Sequence, residues 1–375
     1  MSIFGVIALS MAIHSCYVGS KVLVSLYALH LGASQFTVGL LAACYASVPL
    51  LLGVYTGRLA DSRGLRLLLL LGATLTFSAL MTGFIARNLA GLFALAVLVG
   101  GGFVFFNVSI QTLAGALGKP EHRTRNFAWL TIGYSSSSLI GPVFAGFSID
   151  HLGYIPTFAL FAFFPLLPIA ALIFKPHIAR IARPPPAKGK RNTLDLLRDK
   201  PLRKVIMISG LSVASAELFA FYVPVFAHEI GLSASVTGII LGAYALAIVL
   251  TRFMMSTMMK RLTPEQMMVW FLLLAAAGFA VFPFLRSASA LMVTAFVIGL
   301  GVGSTQPILM SISYERAPPG RAGEMTGLRL TVNNVARMSM PIICGALGAA
   351  FGSSPVFWMN ALNLLGMSFL SKEKK

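Results

Sequence analysis

The sequence predicts an all-α membrane protein of twelve transmembrane helices, arranged as two parallel six-helix repeats. Three observations carry this expectation. Charged residues make up only 11% of the 375 residues and hydrophobic ones 57%, whereas soluble globular chains carry ~25% charged residues. Twelve apolar windows of spanning length follow one another along the chain. The chain also matches itself at an offset of 199 residues.

A bilayer core ~30 Å thick needs ~20 apolar residues of helix to cross it. Lipid leaves backbone N–H and C=O groups without partners, so the crossing segments must be helical. The windows fall at 4–30, 36–57, 66–86, 88–117, 126–149, 154–174, 204–229, 234–258, 264–285, 288–315, 322–349 and 353–371. Between the sixth and seventh lies a basic stretch that holds Pro184, Pro185 and Pro186, which exclude regular helix. The expected organisation is therefore a first half at 1–174, a cytoplasmic linker at 175–203 and a second half at 204–375. Asn192 to Asp195 offer the start of a short surface helix. The apolar N-terminal run lacks a basic leader and outlasts a signal peptide, so we read it as an uncleaved first span.

Net charge is +18, which raises nucleic acid as a partner. The placement of the basic residues argues against it. With both termini cytoplasmic, 23 of the 29 Lys and Arg residues fall at inside positions, and only Arg87 and Arg286 fall outside. This split sets the orientation by the positive-inside rule and directs the charge at anionic lipid. The expected location is a bacterial-type inner membrane. Cys16, Cys44 and Cys344 sit far apart within apolar windows and read as packing residues rather than metal ligands. No cofactor is expected.

The repeat is carried by residues that are not interchangeable. Gly32 pairs with Gly231, Gly39 with Gly238, Tyr45 with Tyr244, Pro142 with Pro341, Gly146 with Gly345 and Gly153 with Gly352. Two six-span halves with their termini on one side make a parallel repeat. The turn after the second window reads Gly57-Arg58-Leu59-Ala60-Asp61-Ser62-Arg63-Gly64-Leu65-Arg66. With the repeat, it resembles the hallmark loop of the major facilitator superfamily. Gly57, Leu59, Ala60, Asp61, Gly64 and Arg66 match the pattern; Ser62 and Leu65 depart from it. The resemblance implies alternating access, with Gly57, Asp61, Gly64 and Arg66 forming a cytoplasmic gate. Gly141-Pro142-Val143-Phe144-Ala145-Gly146 is similar to the fifth-span signature of family exporters, with Ala145 in place of a glycine. Gly141, Pro142, Gly146 and Pro341 are accordingly expected at helix kinks, a generic packing role being the alternative. The arginine that marks drug–proton exporters in the fourth span is replaced by an uncharged stretch at Ala96 and Val97.

Charges within a span are expensive and usually face a cavity or a partner. Glu217 is the only acid deep in a window, and Lys21 lies within a turn of equal depth in the repeat-related first window. They are expected to pair, either as a static link or as the proton-coupling element. Arg329, Asn333 and Arg337 recur at i, i+4 and i+8 of the eleventh window, with Asn334 beside them. Two guanidinium forks and amides suit a carboxylate or phosphate ligand. With Glu217 already assigned to Lys21, Arg337 is expected to lack a fixed counter-ion. Asn107 and Gln306 are repeat-related, as are Tyr45 and Tyr244; each pair suits either a central cavity or interhelical hydrogen bonding. Ser135 to Ser138 offer another polar surface or close helix packing, Arg252 a snorkelling or gate residue, and His14 a packing residue with a proton relay as the alternative.

No Gly-x-x-x-x-Gly-Lys phosphate loop occurs, so ATP is not the direct driver. An intramembrane enzyme would need paired acids or a Ser–His dyad at depth. The leading expectation is a monomeric secondary transporter that moves a small molecule, with proton-coupled efflux of a drug-like or metabolite substrate first. Movement of an organic anion comes second, and a sensor with a transporter fold stays open. The topology is directly testable. A cysteine placed at Ser233, in the loop after the seventh window, should react with an impermeant thiol reagent added outside. Labelling from the cytoplasmic side alone would reverse the orientation.

Overall fold

The computed structural model describes residues 3–117, 123–174, 197–258, 260–315 and 322–371, and among these no strand occurs. The first half forms α1 (Ile3–His30), α2 (Gln35–Arg63), α3 (Leu65–Ile85), α4 (Leu89–Ala116), α5 (Arg123–Leu152) and α6 (Tyr154–Phe174). The second forms α7 (Lys200–Glu229), α8 (Ala234–Met258), α9 (Pro264–Val281), α10 (Ala288–Gly303), α11 (Thr305–Glu315), α12 (Ala322–Phe351) and α13 (Ser353–Ser371). Each predicted window matches one helix except the tenth, which breaks at Ser304 into α10 and α11. Most of the predicted linker lies outside the described residues.

Ten of the described helical runs are long and apolar enough to cross a membrane; α5 and α13 are not among them. The reason in α5 is local. Its polar residues face other helices: the Ser137 Oγ donates to Met11 O of α1 at 3.4 Å, and Asn126 Nδ2 donates to the carbonyls of Ala114 and Leu117.

Glycine sets the turns. Gly32, Gly231, Gly153 and Gly352 all have φ between 75° and 85°, a region that side chains avoid. These are two repeat-related pairs, and they end α1, α7, α5 and α12. We call the end of the bundle that holds the α1–α2 and α7–α8 turns the turn end, and the opposite end the linker end.

Helices α1–α6 pack on one another, as do α7–α13. Two seams join the sets, α5 with α8 and α2 with α12, and α1 meets α7 between them. Both seams are built the same way. A Cβ on Gly238 of α8 would lie 2.6 Å from Pro142 O, and one on Gly39 of α2 would lie 2.5 Å from Pro341 O. One turn further, Gly146 lies against Ala234 O and Gly345 against Gln35 O. Absent side chains thus let backbones touch, the usual device where lipid removes the hydrophobic drive between helices. Both α5 and α12 run unbroken through their prolines, so Pro142 and Pro341 serve here as contact points of the seams. Gly141 serves a third contact, against Ser15 O of α1 at 2.8 Å from its notional Cβ.

The turn end carries polar links at both seams. Asp150 accepts from the backbone N–H of Ala234 at 3.1 Å and of Ser235 at 2.7 Å, capping the N-terminus of α8 from the other half. Partial burial opposes its charge, but the hydrogen bonds from Ser235 prevail and hold the carboxyl below its ordinary range. The cap therefore survives at every pH above the carboxyl's depressed pKa and is lost only as pH falls through it. Beside the other seam, Gln35 of α2 donates to Glu229 of α7 and accepts from the Tyr222 hydroxyl of the same helix.

Replacing Gly146 by Ala sets a methyl group 2.2 Å from the Ala234 carbonyl, a backbone atom that cannot rotate aside. The expected loss is about 1–3 kcal/mol, read as a lower midpoint in thermal unfolding of the purified protein. Gly53→Ala meets nothing within 4 Å and should be neutral or stabilising.

Candidate functional site

Helices α1, α5, α7, α8 and α12 surround a cavity of ≈ 250 Å³ between the two halves. Its wall repeats every helical turn. His14, Tyr17, Val18, Lys21 and Val22 face it from α1, and Leu241, Tyr244, Ala245 and Ile248 face it from α8. Spacings of three, four and seven put these residues on single helix faces. Glu217 enters from α7, Arg337 from α12 and Phe103 from α4.

Glu217 is the centre of the charge arrangement. Its Oε2 accepts from Lys21 Nζ at 2.9 Å, and its Oε1 lies 3.3 Å from Arg337 Nε. The second contact is close enough for charge pairing but too oblique for a hydrogen bond. The Lys21–Glu217 link crosses the two halves, whereas Arg337–Glu217 stays within the second. Lys21 Nζ also lies 4.6 Å from the centroid of Tyr17, a cation–π geometry.

The expectation that Arg337 lacks a fixed counter-ion is corrected here. One carboxylate has two oxygens, and Glu217 gives one to each cation. An opposite-charge contact near 4 Å is worth about 4 kcal/mol at an effective dielectric of 20, and desolvation costs several kcal/mol per ion. The two terms nearly cancel, so the triad is not a stabilising device in itself. Its chemistry is that of two cations competing for one acid.

The predicted stripe on α12 divides. Arg337 faces the cavity, but Arg329 and Asn333 are buried inside the second half, 6% and 5% exposed. Arg329 Nη1 donates to Gln306 Oε1 at 3.0 Å and to Ser209 Oγ at 3.3 Å. The Ser209 hydroxyl donates to Asn333 Oδ1 at 3.0 Å. Positions i, i+4 and i+8 drift by about 40° per step around a helix of 3.6 residues per turn. Over two steps that turns Arg329 toward α7 and α11 while Arg337 meets the cavity. Asn334 is half-buried beside this network.

Asn107 and Gln306 both bind within their own halves. Asn107 Oδ1 accepts from Tyr134 at 2.6 Å and from Gln111 at 3.2 Å, while Gln306 holds Arg329. Neither lines the cavity. Tyr45 is buried and donates to Ser20 Oγ at 3.2 Å, behind Lys21. Its repeat partner Tyr244 lines the cavity, stacks on Phe219 at 4.3 Å and has no partner for its hydroxyl. Arg252 donates to Ser135 Oγ across the α5–α8 seam at 2.7 Å.

His14 was expected to pack; it lines the cavity, and its Nδ1 is buried without a partner. Tyr17 and Phe103, stacked at 3.9 Å, carried no signal in a chain with 28 Phe and 9 Tyr. The usable signal was His14, Tyr17 and Lys21 at helical spacing on one span. At the predicted gate, Gly64 (φ 90°) forms the turn between α2 and α3. Arg66 Nε donates to Leu172 O at 3.2 Å, satisfying a carbonyl in the last turn of α6. Gly57 and the Asp61 side chain lie outside what the structure describes.

A profile of the Major Facilitator Superfamily matches residues 3–341. The chain belongs to this superfamily. It is 23% identical over 325 residues to YuxJ of Bacillus subtilis (strain 168), an uncharacterized MFS-type transporter, covering 83% of this chain and 81% of that one. It is 25% identical to the multidrug resistance protein MdtG of Serratia proteamaculans (strain 568), covering 83% and 77%. A POT family transporter in complex with a thioalcohol-conjugated peptide superimposes with a TM-score of 0.82 at 14% identity, covering 98% of this chain and 94% of that one. The nucleoside transporter NupG does so with 0.78 at 14%, covering 98% of both. These likenesses show the fold. The protein is a multi-pass membrane transporter of the superfamily.

The triad's coupling is measurable. Lys21→Met leaves Glu217 with one oblique partner. The expected cost is about 2–3 kcal/mol, below the ~3–5 kcal/mol of a fully buried pair because both side chains retain 16–19% exposure. Lys21→Met with Glu217→Gln should cost less than the sum of the single changes by about 0.5–3 kcal/mol. Additive losses in thermal unfolding would show that the contact is not energetically coupled.

Proposed function

We propose that this protein is a proton-coupled exporter of a small amphipathic molecule, with Glu217 as the group that exchanges the proton. The carrying observation is the position of Glu217 between Lys21 of one half and Arg337 of the other, on a cavity shared by both. Deprotonated Glu217 ties α7 to α1 through Lys21. Protonation removes that cross-half attraction and leaves both cations facing the cavity together with His14, Tyr17 and Tyr244. A single proton thus changes both the attraction between the halves and the charge presented to a ligand. Rocking of the halves about the two seams exposes the cavity to each side in turn.

Export is supported by the fifth-span Gly141-Pro142 sequence and by similarity to proteins named for multidrug resistance. The mostly apolar wall suits an amphipathic body. A second reading, movement of an organic anion, is favoured by one feature: two cations share a single acid. The readings are compatible, since an exported molecule can carry a carboxylate. The gate role of Asp61 and the cytoplasmic placement of the linker end belong to the same proposal.

The test uses protein reconstituted in liposomes with an imposed pH gradient. Glu217→Gln should abolish uphill, pH-driven transport while downhill exchange persists. Uphill transport with unchanged pH dependence would place proton coupling elsewhere and overturn the assignment.

A further inference from the structure

Two residues that line the same cavity from opposite halves each carry a buried polar atom without a partner. The atoms are Nδ1 of His14 on α1 and the hydroxyl of Tyr244 on α8. Buried polar groups are hydrogen-bonded in the great majority of cases, and an orphan costs about 1–3 kcal/mol. Two such orphans beside one cavity are groups that a ligand's polar substituent would satisfy.

The charges give the next constraint. The described cavity wall holds Lys21, Arg337 and one acid, Glu217. With Glu217 ionised, one positive charge remains, and Arg337 is the more exposed of the two cations, its side chain 42% exposed against 16% for Lys21. A single anionic group balances the site. A planar carboxylate suits the guanidinium fork better than a point anion does.

Size and shape follow. The volume, ≈ 250 Å³, falls below the ~300–1,000 Å³ usual for drug-sized ligands, so a small molecule such as one ring with short substituents fits. Tyr17 is enclosed between Lys21 Nζ at 4.6 Å and the Phe103 ring at 3.9 Å. Phe103 and His14, 5.8 Å apart and tilted by 54°, present the remaining aromatic surface.

We propose that the cavity binds a single-ring aromatic carboxylate bearing a hydrogen-bonding substituent, such as a phenolic acid. The carboxylate meets Arg337, the ring lies against Phe103, and the substituent meets His14 Nδ1 or the Tyr244 hydroxyl. A phenolic hydroxyl both donates and accepts, so it serves either tautomer of His14. This rests on the transporter reading above and names the substrate class for its site.

Calorimetric titration of the purified protein with 4-hydroxybenzoate, benzoate, cyclohexanecarboxylate and benzylamine tests it without any gradient. The expected order is 4-hydroxybenzoate tightest, benzoate about tenfold weaker, cyclohexanecarboxylate weaker again and benzylamine unbound. His14→Phe combined with Tyr244→Phe, which keeps aromatic surface at both positions and removes both polar groups, should narrow the difference between 4-hydroxybenzoate and benzoate to about twofold or less; a difference that stays tenfold overturns the role of these two side chains. Arg337→Lys should weaken both carboxylates about tenfold or more. The wild-type series alone suffices if a variant fails to fold. Equal affinity for benzylamine and benzoate, or no carboxylate binding at all, overturns the substrate class. Such a failure leaves the Glu217→Gln transport result standing, whereas a failure of that result leaves the titration order standing, so the two readings fall separately.

Discussion

The architecture turns on a charge imbalance at the centre of the bundle. One carboxylate, Glu217, answers two cations, Lys21 at 2.9 Å and Arg337 at 3.3 Å. Coulomb attraction and desolvation nearly offset each other at such a site, so little net stability is locked into it. That is the condition for a switch: small changes in protonation or ligand charge can redistribute the contacts without unfolding the protein. The partners lie on opposite sides of the boundary between halves, so the redistribution is felt as a change in how firmly the halves hold together.

The scaffold has to supply the stability that the triad does not. It does so with backbone contact. Gly39, Gly238, Gly146 and Gly345 bring α2 against α12 and α8 against α5 with no intervening side chain. The same residues recur 199 positions apart because both seams solve one packing problem. Smooth backbone contact at the seams, beside a labile centre, suits halves that rock against one another as bodies while their interiors stay intact. The Arg329–Gln306–Ser209–Asn333 network belongs to such an interior.

Much of this was legible in the sequence, for identifiable reasons. Lipid imposes a length and an apolarity on each crossing, so the windows matched helices closely; the tenth broke at Ser304. Glycine and proline at a fixed offset marked the seams because no other residue substitutes for them. Lys21 and Glu217 stood out because charge is rare at that depth. The reading lost accuracy where rotation about a helix axis decides the outcome. Arg329 and Arg337 share a stripe on paper, yet about 80° of drift sends one into the second half and the other to the cavity. Counting charges missed that one acid can serve two bases. Aromatic walls such as Tyr17 and Phe103 give no sequence signal in a chain this rich in phenylalanine.

The Asp150 cap on α8 has no counterpart in the other seam, where the repeat-related residue is Ala349. Beside that seam the halves are tied instead by Gln35 to Tyr222 and Glu229. A symmetric scaffold thus carries unlike fastenings. One is a charged clasp on two main-chain N–H groups, and the other is a chain of side-chain bonds in which a single amide holds both neighbours. Parting of the turn end therefore has to undo two different sets of bonds, one from a carboxylate to main-chain N–H groups and one through side chains alone. Duplication supplied two copies of one seam, and divergence at the residues beside them gave each copy its own lock.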